Sequence, residues 1–151
     1  MRPRNNILIA TVALAIAALI WSSGVSTAAD KGPIDPTGTW KLATINAETK
    51  AKSPERTLKL KLDGGKLTGT IDGRSEVNGK VKIYEWAIKD TKLKGSDISF
   101  TASHPPTVGN GPDSTTVYEG KLTGDTMKGT AETEWAGNTH KRDFEARRVK
   151  E

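Results

Sequence analysis

Residues 57–72 read TLKLKLDGGKLTGTID, and their alternation decides the fold. Leu58, Leu60 and Leu62 fall on one side, with Thr57, Lys59 and Lys61 on the other. A strand that is buried on one face and wet on the other requires that period of two. After Gly64-Gly65 the pattern resumes, with Leu67, Gly69 and Ile71 opposed by Lys66, Thr68 and Thr70. A two-residue glycine loop between such runs marks a tight hairpin, because its turn needs positive φ. This frame places Leu62 opposite Leu67 across the ladder.

The same frame recurs twice. Gly95-Ser96 lies between Leu93 and Ile98, and Gly124-Asp125 between Leu122 and Met127. Asn78-Gly79 and Gly137-Asn138 are expected as further turns. Strands are expected at TWKLATI, TLKLKLD, KLTGTID, DISFTAS, TTVYEGKL, TMKGTAETEW and KRDFEARRV, with one or two more in VKIYEWAIKDTKLK. Such a series predicts an all-β fold, an antiparallel up-and-down meander closing into a barrel of eight strands, or nine. Around the last glycine turn Gly120 should face Gly129, and Tyr118 should face Ala131. Two facing glycines leave a gap for a large ring, and Trp40 is the candidate to fill it. Ile88 and Leu93 are an odd number of positions apart, so a bulge between them or a break near Trp86 is needed to turn both inward.

Lys-Leu-Thr-Gly occurs at 66–69 and again at 121–124, but out of frame. The first copy opens a strand, whereas the second closes one and enters a turn. The structural correspondence aligns Leu62 with Leu122 and Leu67 with Met127. The repeat is one of hairpins, not of binding sites.

Residues 1–29 have the layout of a secretory signal peptide: Arg2 and Arg4, an apolar run from Ile7 to Trp21, then small residues to Ala28-Ala29. A membrane-spanning helix needs roughly 20 apolar residues, and this run is shorter. No stable membrane span is expected after cleavage. Residues 30–37 form a Pro- and Gly-containing tether, and 38–151 a single domain. The chain has no cysteine, so a lipoprotein anchor is excluded and the expected location is periplasmic or secreted. Arg2 and Arg4 account for two of the formal charges in the net +5, leaving +3 after the leader. The lysines alternate with threonines and acids and form no basic stripe with aromatic platforms, so nucleic acid is not an expected partner.

TGTW at 37–40 resembles the Gly-x-Trp that opens the calycin barrels, namely lipocalins, fatty-acid-binding proteins and avidins. The resemblance implies a structural closure made by Gly38, Trp40 and a basic residue of the last strand, Arg148 or Arg147, lying across the Trp face. GKLTGT, TTVYEG and FEARR are similar to avidin-type strands. Biotin contacts do not carry over, since Ile71, His104 and Phe144 stand where that family has Tyr, Trp and Trp. The chain also resembles small exported bacterial proteins of unknown function that share GTW, LTGT, ISF and a closing EA.R.

Catalytic chemistry finds little purchase. His104 and His140 have no companion ligands at metal-site spacing and are expected as exposed loop residues. Residues 109–115, GNGPDST, lack the ending of a phosphate loop. Glu132 and Glu134 share an outward face. A non-enzymatic protein without cofactor or metal is therefore expected. Barrel mouths commonly hold small molecules, and a small apolar or amphipathic ligand is the expected partner. The lining would be Leu42, Leu60, Ile71, Phe100, Tyr118, Trp135 and Phe144, with the 103–114 loop as a lid. The same side chains would equally fill an eight-stranded barrel, leaving a cell-envelope interaction module that acts through its Lys/Thr-rich outer face. A cavity above roughly 300 Å³ beside that loop separates the two readings.

Overall fold

The computed structural model describes residues 34–105 and 111–150; the leader, the start of the tether and the middle of the expected lid lie outside them. Nine strands succeed one another: β1 (Gly38–Ile45), β2 (Arg56–Asp63), β3 (Lys66–Val77), β4 (Lys80–Ala87), β5 (Lys89–Lys94), β6 (Asp97–His104), β7 (Ser114–Thr123), β8 (Thr126–Trp135) and β9 (Asn138–Arg148). They form one antiparallel sheet in the order β4-β3-β2-β1-β9-β8-β7-β6-β5, and the described residues include no helix. Pairing joins strands adjacent in sequence, except where β1 pairs with β9. The meander curls into a half-barrel with its apolar face inward.

The two ends of the sheet, β4 and β5, are consecutive in the chain and separated only by Ile88. Ile88 N donates to Gly69 O at 3.0 Å, and Thr91 Oγ1 donates to Leu67 O at 2.6 Å. The start of β3 thus lies beside this junction, while Thr70–Val77 pairs with β4. The expected register conflict is resolved by both devices at once. The strand breaks at Ile88, and the β5–β6 register then shifts between Lys89 and Lys92, with Asp90 at φ 48°. Ile88 is buried and Leu93 packs partly buried against the core.

The hairpin frames hold: Leu62 pairs with Leu67, Leu93 with Ile98, Leu122 with Met127, Gly120 with Gly129 and Tyr118 with Ala131. One turn is displaced. The last hairpin turns at Ala136-Gly137, not Gly137-Asn138, because Trp135 pairs with Asn138. Ala136 adopts φ 49° and Gly137 φ 77°, both positive, as a type I′ turn demands.

The interior is filled by Leu42, Leu58, Ile71, Phe100, Tyr118 and Phe144, each at most 2% exposed. Phe100 stacks on Tyr118 with centroids 4.8 Å apart, and Tyr118 meets Phe144 edge-on at 5.4 Å. Each such side chain contributes about 1.5–3 kcal/mol by leaving water. The ring over the facing glycines is Phe144, not Trp40. Phe144 is the cross-strand partner of Gly129, and a Cβ on Gly120 would come within 2.8 Å of its ring. Trp40 sits farther along, level with Arg148.

Trp40 is fully buried, and its indole N–H donates to Pro36 O at 2.9 Å. The Arg148 guanidinium lies 4.4 Å from the indole centroid, a cation–π contact worth about 0.5–2 kcal/mol. Arg148 also donates to Thr37 O, to Asp35 O at 2.8 Å and to Asp125 Oδ1 at 3.1 Å. The end of the tether is therefore bound to the domain. Gly38 has φ 137°, and a Cβ there would approach Arg148 Nη1 to 3.0 Å. The small residue two before the Trp is what lets the guanidinium reach across the chain.

Two stability measurements follow. Arg148→Lys keeps the charge but loses the planar fork, and chemical denaturation should show a loss of about 1–3 kcal/mol. Ala136→Gly removes the cost of a left-handed alanine and should add about 0.5–1 kcal/mol, since that cost exceeds the entropy glycine adds to the unfolded chain.

Candidate functional site

The inward face of the sheet changes character along the strands. On β1 it runs Trp40, Leu42, Thr44; on β2, from the same end, Leu60, Leu58, Arg56. On β6 it runs Ile98, Phe100, Ala102, His104. β7 passes from Leu122 through Tyr118 to Thr116 and Ser114, and β8 from Met127 through Ala131 to Thr133 and Trp135. β9 passes from Ala146 through Phe144 to Arg142 and His140. The strands are in register, with Thr116 opposite Thr133 and Thr133 opposite His140. The apolar-to-polar change therefore falls at a common level, at the end of the half-barrel away from Trp40.

At that end lies a cleft of about 340 Å³, lined by Arg56, His104, Thr116, Thr133, Arg142 and Tyr118 among others, with Trp135 on its wall. A recess of about 140 Å³ adjoins it and shares Arg56, His104, Ser114 and Trp135. Trp86 and Arg74 belong to the recess. Trp86 occupies the space above Gly73, where a Cβ would overlap its six-membered ring. Its ring stacks on Tyr84 and meets His104 edge-on at 4.5 Å.

His104 is 8% exposed and stands on the last position of β6, not in an exposed loop. Arg56 Nη1 lies 3.2 Å from His104 Nε2. A guanidinium can only donate, so Nε2 accepts and the neutral ring carries its proton on Nδ1. That atom is buried with no hydrogen-bond partner among the described residues. Burial, and secondarily the charge of Arg56, push the His104 pKa down to about 4. Tyr118, at the base of the cleft, is pushed up by burial, an effect that Arg56 opposes. Thr116 Oγ1 and Thr133 Oγ1 share a hydrogen bond of 2.9 Å.

The expected lining divides accordingly. Leu42, Leu60, Ile71, Phe100 and Phe144 lie in the packed interior, and Tyr118 forms the boundary between interior and cleft. Trp135 is 53% exposed and stands on the cleft wall. The structural closure groups Gly38, Trp40 and Arg148 meet at the opposite end. Arg56, His104, Thr116, Thr133 and Arg142 add to the expected lining, and the period-two frame, continued past the last apolar residue, points each of them inward. His140 is exposed on β9, and Glu132 and Glu134 are exposed on β8.

Fold and cleft together define a curled antiparallel β-sheet protein with a packed interior and a polar, cationic mouth. No protein-family model matches the chain, and neither the curated proteins nor the solved structures contain a significant match to it.

The depressed His104 pKa sets a pH dependence. Its folded value, about 4, lies below the ordinary 6.5, so the neutral ring's contribution is complete above pH 6.5 and is lost as pH falls towards 4. Melting temperature should decline across that window, and His104→Phe should flatten that part of the profile.

Proposed function

We propose that this chain is an exported, non-enzymatic binding protein that holds a small amphipathic ligand in the mouth of a calycin-like half-barrel. The observation that carries the reading is the cleft of about 340 Å³ at the polar end, lined in part by His104 and Ser114 near the two ends of the expected 103–114 lid. Its size falls within the range of small-molecule sites. Arg56 and Arg142 offer polar anchoring, while Trp135 and the neighbouring Trp86 offer aromatic faces. Export is supported by the leader sequence, and the calycin-like reading by Gly38, Trp40 and Arg148.

The filled interior favours a second reading, a cell-envelope interaction module acting through the outer face. There Lys41, Lys59, Lys61, Lys121 and Lys128 are exposed. The interior beneath the mouth leaves little space for a long apolar tail, so the amphipathic ligand of the first reading is short.

Tryptophan fluorescence separates the two. Trp135 is exposed at the cleft and Trp40 is buried at the far end, so a ligand in the mouth should change Trp135 emission and raise the melting temperature. Trp135→Phe should reduce the fluorescence response, leaving the part that Trp86 in the adjoining recess reports. If short organic acids, sugars, amino acids and amphiphiles at millimolar concentration change neither signal, the carrier reading fails. Co-sedimentation with anionic envelope polymers would then support the second.

A further inference from the structure

Among the described residues, the ion pairs of this protein use none of the mouth's side chains. Lys59 pairs with Glu85, Lys121 with Asp97, Arg147 with Glu145 and Arg148 with Asp125, all on the outer wall or at the closed end. Among the described residues no aspartate or glutamate lines the cleft or its recess, although the chain carries 18 acids against 23 lysines and arginines. Two arginines, Arg56 and Arg142, line the cleft, and neither forms an ion pair among the described residues. Arg56 is half-buried and spends one donor on a neutral imidazole. A half-buried guanidinium that meets only neutral partners among the described residues, the His104 ring and the Tyr118 phenol, is left with unmatched charge, which an incoming anion offsets.

A second feature narrows the ligand. The cleft wall is rich in hydroxyls, with Thr44, Ser114, Thr116 and Thr133 beside the Tyr118 phenol. His104 Nδ1 adds a buried donor with no partner among the described residues. Phe100, Phe144 and Leu42 fill the interior, which leaves no channel for an acyl chain. A short, polar ligand able to exchange several hydrogen bonds fits this wall. Trp135, half exposed at the rim, offers a flat face to a ring.

We propose that the mouth binds a sugar acid, a small hydroxylated ring bearing a carboxylate. Arg56 and Arg142 hold the carboxylate, the threonines and His104 answer the hydroxyls, and Trp135 flanks the ring. This assignment rests on the reading of the mouth as a ligand site and names the chemistry that the site selects. The planar fork of arginine matches a carboxylate with two parallel hydrogen bonds, which gives orientation as well as attraction.

Isothermal titration of the protein at pH 7 and fixed ionic strength tests it, with galacturonate, galactose, benzoate and inorganic phosphate as probes. Galacturonate should bind about tenfold or more tightly than galactose. Arg142→Gln should weaken galacturonate by a similar factor and leave the melting temperature unchanged, because Arg142 is exposed. Trp135→Ala should weaken galacturonate and galactose alike. Equal binding of galactose and galacturonate, or indifference to Arg142→Gln, overturns the assignment of the carboxylate. Binding of benzoate or phosphate without galacturonate overturns the sugar acid while leaving the mouth as a ligand site. Silence of all four probes overturns it as well, and the wider fluorescence panel then decides whether the mouth binds anything.

Discussion

The Arg148 guanidinium lying on Trp40 is the contact on which the rest of the molecule depends. It joins the first strand to the last, and those two strands make the one pairing not formed between sequence neighbours. Pro36 accepts from the indole on one side, while Thr37 and Asp35 carbonyls accept from the guanidinium on the other. A cation that is stacked, forked and hydrogen-bonded has few alternative positions, so it defines the angle at which β1 leaves the tether. With that end closed, the inward apolar residues meet and exclude water, and the opposite end becomes the place where polar side chains gather.

The two ends therefore divide the labour. At the closed end a charge is stabilised by chain carbonyls and by Asp125. At the mouth, Arg56 faces a neutral histidine and no acid among the described residues. Both are arginines beside an aromatic or heteroaromatic ring in a low-dielectric setting, where unpaired polar groups are costly. The difference is that one constellation is complete among the described residues and the other is not. An incomplete constellation in an otherwise satisfied fold is where a binding partner has most to contribute.

Much of this architecture was legible in the residues. The frames around Gly64-Gly65, Gly95-Ser96 and Gly124-Asp125 were readable because a glycine turn between alternating runs leaves little freedom of register. The conflict between Ile88 and Leu93 was readable as well, since an odd spacing cannot keep two residues on one face of a regular strand. The mouth is less legible, because the inward frame is marked by apolar residues and there its residues turn polar. Arg56, His104 and Arg142 obey the same parity as Leu58, Phe100 and Phe144, and hydrophobicity conceals this. Phe144 over the glycine gap is hidden from local patterning because it comes from the neighbouring strand β9, across a register that only the fold defines. The turn at Ala136 is concealed because alanine is a poor choice for positive φ, so the residue types alone favour a glycine-first turn.

The break at Ile88 leaves the wall unevenly secured. From β6 round to β3 neighbouring strands are joined by ladders without a register shift, but beside this junction the wall relies on Ile88 N to Gly69 O and Thr91 Oγ1 to Leu67 O. A wall opens first where it has fewest bonds to break, so local opening belongs to this seam. Gly73 and Trp86 stand on the strands that flank it and also line the recess of the mouth. The strands that border this seam thus also carry part of the mouth's wall, and Ile88, which belongs to neither, joins them in the chain.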